Sequence, residues 1–197
     1  MRQATDKPSP PDQESDNVHA FIALGSNLEQ PVKQLAQAVS ALDELPGTHV
    51  LRTSQMYANP PMGPQDQPDY VNAVSLISTS LTPSALLEAL KGLEQTAGRL
   101  STRVWGARVL DLDILTYGEI ILNTSTLTIP HPGIAERRFV LAPWHEIAPD
   151  TRLPDGRSIV ELLSAAPNHP LHIVPPHNDF AEKVSSPPIA DSTQGET

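Results

Sequence analysis

Two proline-opened helical stretches, each preceded by a short apolar run, constrain this chain more than any other feature. Pro31 begins a segment in which Val32, Leu35, Ala36, Val39 and Leu42 recur at helical spacing until Pro46-Gly47 stops it. Pro83, behind the N-cap candidate Thr82, begins a second, with Leu86, Leu87, Leu90 and Leu93 as its buried stripe and Gly98 placed to close it. Strands fall around them: Ala20–Leu24, ended by the turn Gly25-Ser26-Asn27, then His49–Tyr57, Tyr70–Ser80 and Val109–Tyr117. The order β-α-β-β-α-β predicts an α/β (α+β) fold with a ferredoxin-like core. That core is a mainly antiparallel four-stranded sheet with helices packed on one face, plus C-terminal additions. The additions read as short pieces at Ile120–Asn123 and Leu127–Ile129, a helix near Phe139–Ile147 and a turn at Pro154-Asp155-Gly156. Such an architecture hosts many activities, so function has to come from side chains.

Composition sets the limits of that core. The chain has 197 residues, 39% of them hydrophobic, with 21 prolines and a formal net charge of −10 at pH 7. Residues 1–17 hold no strong apolar residue beyond Met1, and from Ala165 onward Phe180 is the sole aromatic among many prolines. Such segments bury too little apolar surface to offset ordering entropy. The reading is a disordered tail over 1–17, one domain over 18–164 and a disordered tail over 165–197, with Leu171–Val174 the one hint of a docked strand. The acidic balance argues against nucleic acid or an anionic membrane as partner. No apolar run approaches the ~20 residues of a membrane helix. The absence of cysteine excludes disulfides and thiolate metal sites and suits a reducing compartment. The expectation is a cytoplasmic monomer acting on small molecules.

Chemistry concentrates in Arg99–Asp113, where Arg99, Arg103 and Arg108 come without an intervening acid before Asp111 and Asp113. A basic cluster in so acidic a chain needs an anion. Two apart on a strand, both carboxylates leave one face while Leu110, Leu112 and Ile114 turn to the core. Paired carboxylates make a hard oxygen site suited to Mg²⁺, which takes its other ligands from phosphate and water. Arginines hold the phosphates through paired hydrogen bonds. Asp-x-Asp by itself also describes a solvated strand face, and the arginines beside it bring the two readings level. Pro60–Asn72 is a proline-stiffened loop ending in Tyr70 and Asn72 on one strand face. An aromatic plane beside an amide is what a flat heterocycle with donor and acceptor edges requires. A stiff connector with a core tyrosine is the competing account. Pro130–Phe139 adds His131, Arg137, Arg138 and Phe139, which alone amount to a loop histidine and surface charge. Trp105, before Gly106, suits either the core or a lid. The sequence has no P-loop, no G-x-G-x-x-G, no zinc spacing among its histidines and no G-x-S-x-G elbow.

Taken together, AFIALGSN, PPMGPQDQPDYVNA, Glu94, WGARVLDLDIL and IPHPGIAERRFVLAP resemble the 6-hydroxymethyl-7,8-dihydropterin pyrophosphokinase family, in the family's order over about residues 19–163. The resemblance implies ATP-dependent transfer of diphosphate to the pterin's hydroxymethyl oxygen, with release of AMP, in folate biosynthesis. It implies two Mg²⁺ ions on Asp111 and Asp113, with Arg99 and Arg108 as the catalytic, phosphate-binding arginines. Leu87, Glu94, Trp105, Ile114, His131 and Arg137 would surround ATP. Tyr70 and Phe139 would sandwich the pterin, with Asn72 reading its edge and Asn59, Pro60 and Met62 assisting. The chain departs from the family pattern between Arg99 and Trp105, where the loop is a residue shorter and Val104 replaces a basic residue. Two other classes compete: a binding protein without turnover, and a ferredoxin-like RNA-binding module. The module needs a basic sheet face with stacked aromatics, against a negative charge and 4% aromatic residues here.

Overall fold

The computed structural model describes residues 17–98 and 106–175. β1 (Val18–Ser26) leads into α1 (Pro31–Asp43), β2 (Thr48–Thr53), β3 (Met56–Asn59), β4 (Tyr70–Thr79), α2 (Pro83–Thr96) and β5 (Asp111–Tyr117). A small ribbon of β6 (Leu122–Asn123) and β7 (Thr128–Ile129) follows, then a 3-10 turn at Ile134–Glu136, α3 (Arg138–Ile147), α4 (Ile159–Ala165) and β8 (His172–Val174). The main sheet has six strands, in the order β5-β1-β4-β3-β8 with β2 also paired to β4. Every pairing is antiparallel. The expected ferredoxin-like order is met.

Local chemistry explains the helices. Thr82 caps α2, its hydroxyl accepting from the Ala85 N–H at 3.3 Å, and Pro83 follows at the first turn. Gly98, at φ +90°, takes the left-handed conformation that ends a helix. Leu35, Ala36, Val39 and Leu42 of α1 and Leu86 and Leu90 of α2 are buried against one face of the sheet, on Ala20, Ile22, Leu24, Leu112 and Ile114. This is the first core.

The structure departs from the sequence reading in several places. His49–Tyr57 is two strands: the pairing with β4 slips by one residue between Thr53↔Ser75 and Tyr57↔Asn72. There the Gln55 N–H turns out of the ladder to the Glu146 carboxylate at 3.0 Å. β5 starts at Asp111 rather than Val109. Helices cover both faces of the sheet, not one. α3 and α4 bury Val140, Leu141, Trp144, Ile147, Ile159 and Leu162 against Val74 and Leu115, with Phe21, Ala23 and Leu76 partly buried beside them. α4 had no counterpart in the expected elements; a Ser158–Glu161 capping box opens it. Leu171–Val174 does carry a strand, β8, which pairs with β3. The sheet therefore extends past the domain edge expected at residue 164. No described helix is long and apolar enough to cross a membrane.

Candidate active site

Strand register decides what the second face of the sheet presents. Residues opposite one another in an antiparallel pair project to the same side. Gly25 pairs with Asn72 on β4 and Asp111 on β5, and Ala23 pairs with Val74 and Asp113. Asn72, Asp111 and Asp113 thus stand on the face that α3 covers, but beyond the helix's apolar contacts. Leu110, Leu112 and Ile114 point the other way, into the first core, as their spacing predicts.

A cleft of about 340 Å³ opens there, lined by Asn59, Met62, Tyr70, Asn72, Arg108, Asp111, Asp113, His131, Arg137 and Phe139, with Gly25, Pro61, Gly63 and Gln67. Three stretches that the sequence holds far apart, together with Gly25 of β1, supply one cavity. Arg108 pairs with Asp111 through Nη1 and Oδ1. Arg137 Nη1 donates to Asp113 Oδ2 at 3.1 Å, and His131 Nε2 lies 3.6 Å from the same oxygen. His131 Nδ1 accepts from the Gly133 N–H at 3.0 Å, so the neutral ring carries its proton on Nε2, the nitrogen facing Asp113. Burial lowers the His131 pKa, opposed by Asp113 and assisted by Arg137. The ring is a neutral donor at pH 7.

The other half of the cleft is flat and less charged. The Tyr70 hydroxyl donates to the Gly106 carbonyl at 2.8 Å, anchoring its ring. Burial raises its pKa, with Arg108 pulling the other way. Asn72 Nδ2 donates to Asn59 Oδ1 at 2.6 Å, and Asn59 Nδ2 donates to the Pro60 carbonyl at 2.7 Å. The proline-rich loop is braced from within: Gln65 Nε2 reaches the Pro61 and Gly63 carbonyls, both at 2.8 Å, and Gln67 Nε2 the Pro64 carbonyl at 2.9 Å.

Asn27, read from sequence only as part of a turn, ties the two halves together. It is 2% exposed. Its Oδ1 accepts from the Arg108 N–H at 2.8 Å, and its Nδ2 donates to the Pro68 carbonyl at 3.0 Å and Gln67 Oε1 at 3.3 Å. A small amide directly after a strand-ending Gly-Ser was the available signal. Its partners were not.

Several expected residues lie elsewhere. Pro60 is exposed outside the cleft lining, and its neighbour Pro61 lines the cavity instead. Glu94 is 4% exposed on α2, where its Oε1 accepts from the Leu112 N–H at 2.9 Å, bracing β5 between the two aspartates. Ile114 is 3% exposed in the first core, and Leu87 packs against that core from α2. Arg99 and Trp105, like Arg103, lie outside the described residues.

Comparison with known proteins agrees with this geometry. The family model described as 7,8-dihydro-6-hydroxymethylpterin-pyrophosphokinase matches residues 21–149. The 2-amino-4-hydroxy-6-hydroxymethyldihydropteridine pyrophosphokinase of Haemophilus influenzae is 49% identical over 152 residues, covering 77% of this chain and 95% of that protein. Its namesake from Pseudomonas aeruginosa is 46% identical over 75% of this chain and 91% of its own length. Among solved structures, Plasmodium falciparum HPPK-DHPS wild type with STZ-DHP has a TM-score of 0.58 at 14% identity, over 75% of this chain and 41% of that one. That likeness speaks for the fold alone. The family match and the two bacterial relatives speak for more: the chain belongs to the 7,8-dihydro-6-hydroxymethylpterin-pyrophosphokinase family and is a pyrophosphokinase of folate synthesis.

Proposed function

We propose that the cleft beside Asn72 and Asp111 is where 6-hydroxymethyl-7,8-dihydropterin and ATP meet. The observation carrying this reading is that two aspartates flanked by arginines share one sheet face, a strand away from an amide and an aromatic ring. In the reaction the hydroxymethyl oxygen attacks the β-phosphorus of ATP and the bond from that phosphorus to the α–β bridging oxygen breaks. AMP leaves, and the hydroxyl proton passes to solvent.

Such a transfer depends on positioning and charge neutralisation more than on a strong base, and no general base is assigned. Tyr70 and Phe139 hold the flat pterin, Asn72 reads its edge, and Asn59 and Met62 close the pocket around it. Arg108 and Arg137 take phosphate oxygens, with Arg99 and Trp105 added from the segment between α2 and β5. His131, a neutral donor, contributes its Nε2–H to the phosphate side. Ile114 serves a nucleotide through backbone on the outer edge of β5, which pairs with β1 on one side only. Leu87 and Glu94 act from behind, Glu94 by holding the Leu112 N–H.

Two carboxylates on one face, both partly exposed in the cleft, fit Mg²⁺, a hard cation that completes its shell with water and phosphate. Asp111 and Asp113 would hold two such ions, which supply neutralisation of phosphate charge and alignment of the reacting oxygens. The proposal keeps the chain a cytoplasmic monomer working on small molecules, apart from nucleic acid and membrane. The test is the nucleotide product: ATP plus the pterin should yield AMP, not ADP, and only with Mg²⁺ present. Saturable pterin binding without AMP would make the protein a binder, and equal rates with Mg²⁺ chelated would remove the metal assignment.

A further inference from the structure

Gly25 lies inside β1 with Asn72 across the sheet on one side and Asp111 on the other. Its backbone is ordinary strand; the described glycines with positive φ are Gly47, Gly98, Gly118 and Gly156. Conformation therefore does not require a glycine here, and glycine weakens a strand through entropy and lost packing. What the residue supplies is space.

A Cβ at this position would stand on the cleft floor, 3.1 Å from Asn72 Oδ1 and 4.0 Å from Asp111 Cβ. The first distance is tighter than nine in ten real contacts of a Cβ, so the amide must give by a few tenths of an ångström; the second is ordinary van der Waals contact. Asn72 has little freedom to retreat, because its Nδ2 is fastened to Asn59 Oδ1 at 2.6 Å and Asn59 in turn to the Pro60 carbonyl. The same chain of bonds sets the amide's polarity. Its NH₂ faces Asn59, and its oxygen is the atom beside Gly25, so the edge it reads is one bearing an N–H donor.

We propose that Gly25 is a specificity-determining residue, its missing side chain keeping the Asn72 amide oxygen within reach of a flat heterocycle. The inference rests on the pterin reading above and deepens it. A methyl group at residue 25 displaces that oxygen and leaves the aspartates in place, so the loss falls on the pterin and spares ATP.

The test uses the full chain, with Gly25→Ala, Asn72→Ala and the double variant. Each is titrated with 6-hydroxymethylpterin and, separately, with a non-hydrolysable ATP analogue plus Mg²⁺; thermal midpoints are measured alongside. Gly25→Ala should weaken pterin binding about tenfold or more and change binding of the ATP analogue less than about twofold, as expected when one buried polar contact of one ligand is lost. Its thermal midpoint should fall by no more than about 2–4 °C, the scale of 1 kcal/mol in a domain of this size, because the crowding of the fastened amide is partly offset by alanine being the better strand residue. Added to Asn72→Ala, it should cost less than about threefold, because the oxygen it displaces is already gone. Unchanged pterin affinity, equal weakening of both ligands, or an independent tenfold loss in the absence of Asn72 would each overturn the proposal. Wild-type protein that binds pterin yet releases no AMP defeats the reaction reading instead, and the pterin titrations still judge Gly25.

Discussion

The second face of the sheet is made by the same three strands along its length, yet its two ends are different materials. Under α3 lie Phe21, Ala23, Val74, Leu76 and Leu115, with the Phe21 and Trp144 rings 4.6 Å apart. One step along β1 and β4, and one to two along β5, the same face carries Gly25, Asn72, Asp113 and Asp111. The covered end is closed by packing; the open end is held by ion pairs and amide bonds. The difference teaches that α3 divides labour on this face: where the helix lies, side chains hold the fold, and past its first turn they are free for chemistry. Phe139 belongs to both, touching the second core and lining the cleft.

Substitutions on either side of that boundary should have opposite signatures. The largest effect is expected at Asp113→Ala, which should lower AMP formation by about 10³-fold or more, in line with the loss of a group that stabilises transferring charge. Its thermal midpoint should shift by only about 2–4 °C, the scale of a 1 kcal/mol change in a domain of this size. Near-normal AMP release would erase the functional distinction between the two ends. Leu115→Ala, two residues along the same strand, should do the reverse. It should cost about 2–5 kcal/mol of stability in denaturant titrations while turnover per folded molecule holds, because a buried leucine is lost and nothing in the cleft is touched. A kinetic defect with normal stability would show that the covered end takes part in the chemistry.

Asn72→Ala comes next, with a loss of about 10- to 100-fold in pterin affinity and little change for ATP. Equal losses for both ligands would mean that the cleft is not divided into a flat half and a charged half. The smallest effect belongs to Tyr57, whose hydroxyl donates to Glu146 Oε2 at 2.8 Å and so fastens β3 to α3. Burial, then the bond and the negative charge of Glu146, push its pKa well above 10. The fold therefore favours the neutral phenol, and this stabilisation is complete below about pH 10, where an unfolded tyrosine also stays protonated, and is lost as pH rises further. Tyr57→Phe should flatten the alkaline decline of the urea midpoint. An unchanged slope would show that this fastening adds nothing to stability.

How much of this was legible depends on how far each residue's partners lie along the chain. Asp111 and Asp113 could be read because a period of two is local: their leucine neighbours had to turn inward, and both helices carried their own caps and stripes. The gap between β2 and β3 could not be read. Gln55 leaves the ladder for Glu146, ninety-one residues later, and nothing near Gln55 announces that partner. Asn27 was opaque for the same reason, with Arg108 eighty-one residues away. Glu94 was read through the resemblance as a nucleotide neighbour, whereas its burial against the β5 backbone emerges only when α2 is laid beside that strand. The two-sided cover was not legible because α4 is only seven residues long and α3's partners Val74 and Leu115 lie on strands far from it in sequence.

β8 is three residues long, with Ile173 54% exposed, and it lies against β3 at the rim of the sheet. An uncovered rim of backbone amides and carbonyls is a template on which a foreign strand can grow. By occupying that rim with so brief a segment, β8 leaves on that side of the described sheet an edge of only three residues, a short template for any foreign strand.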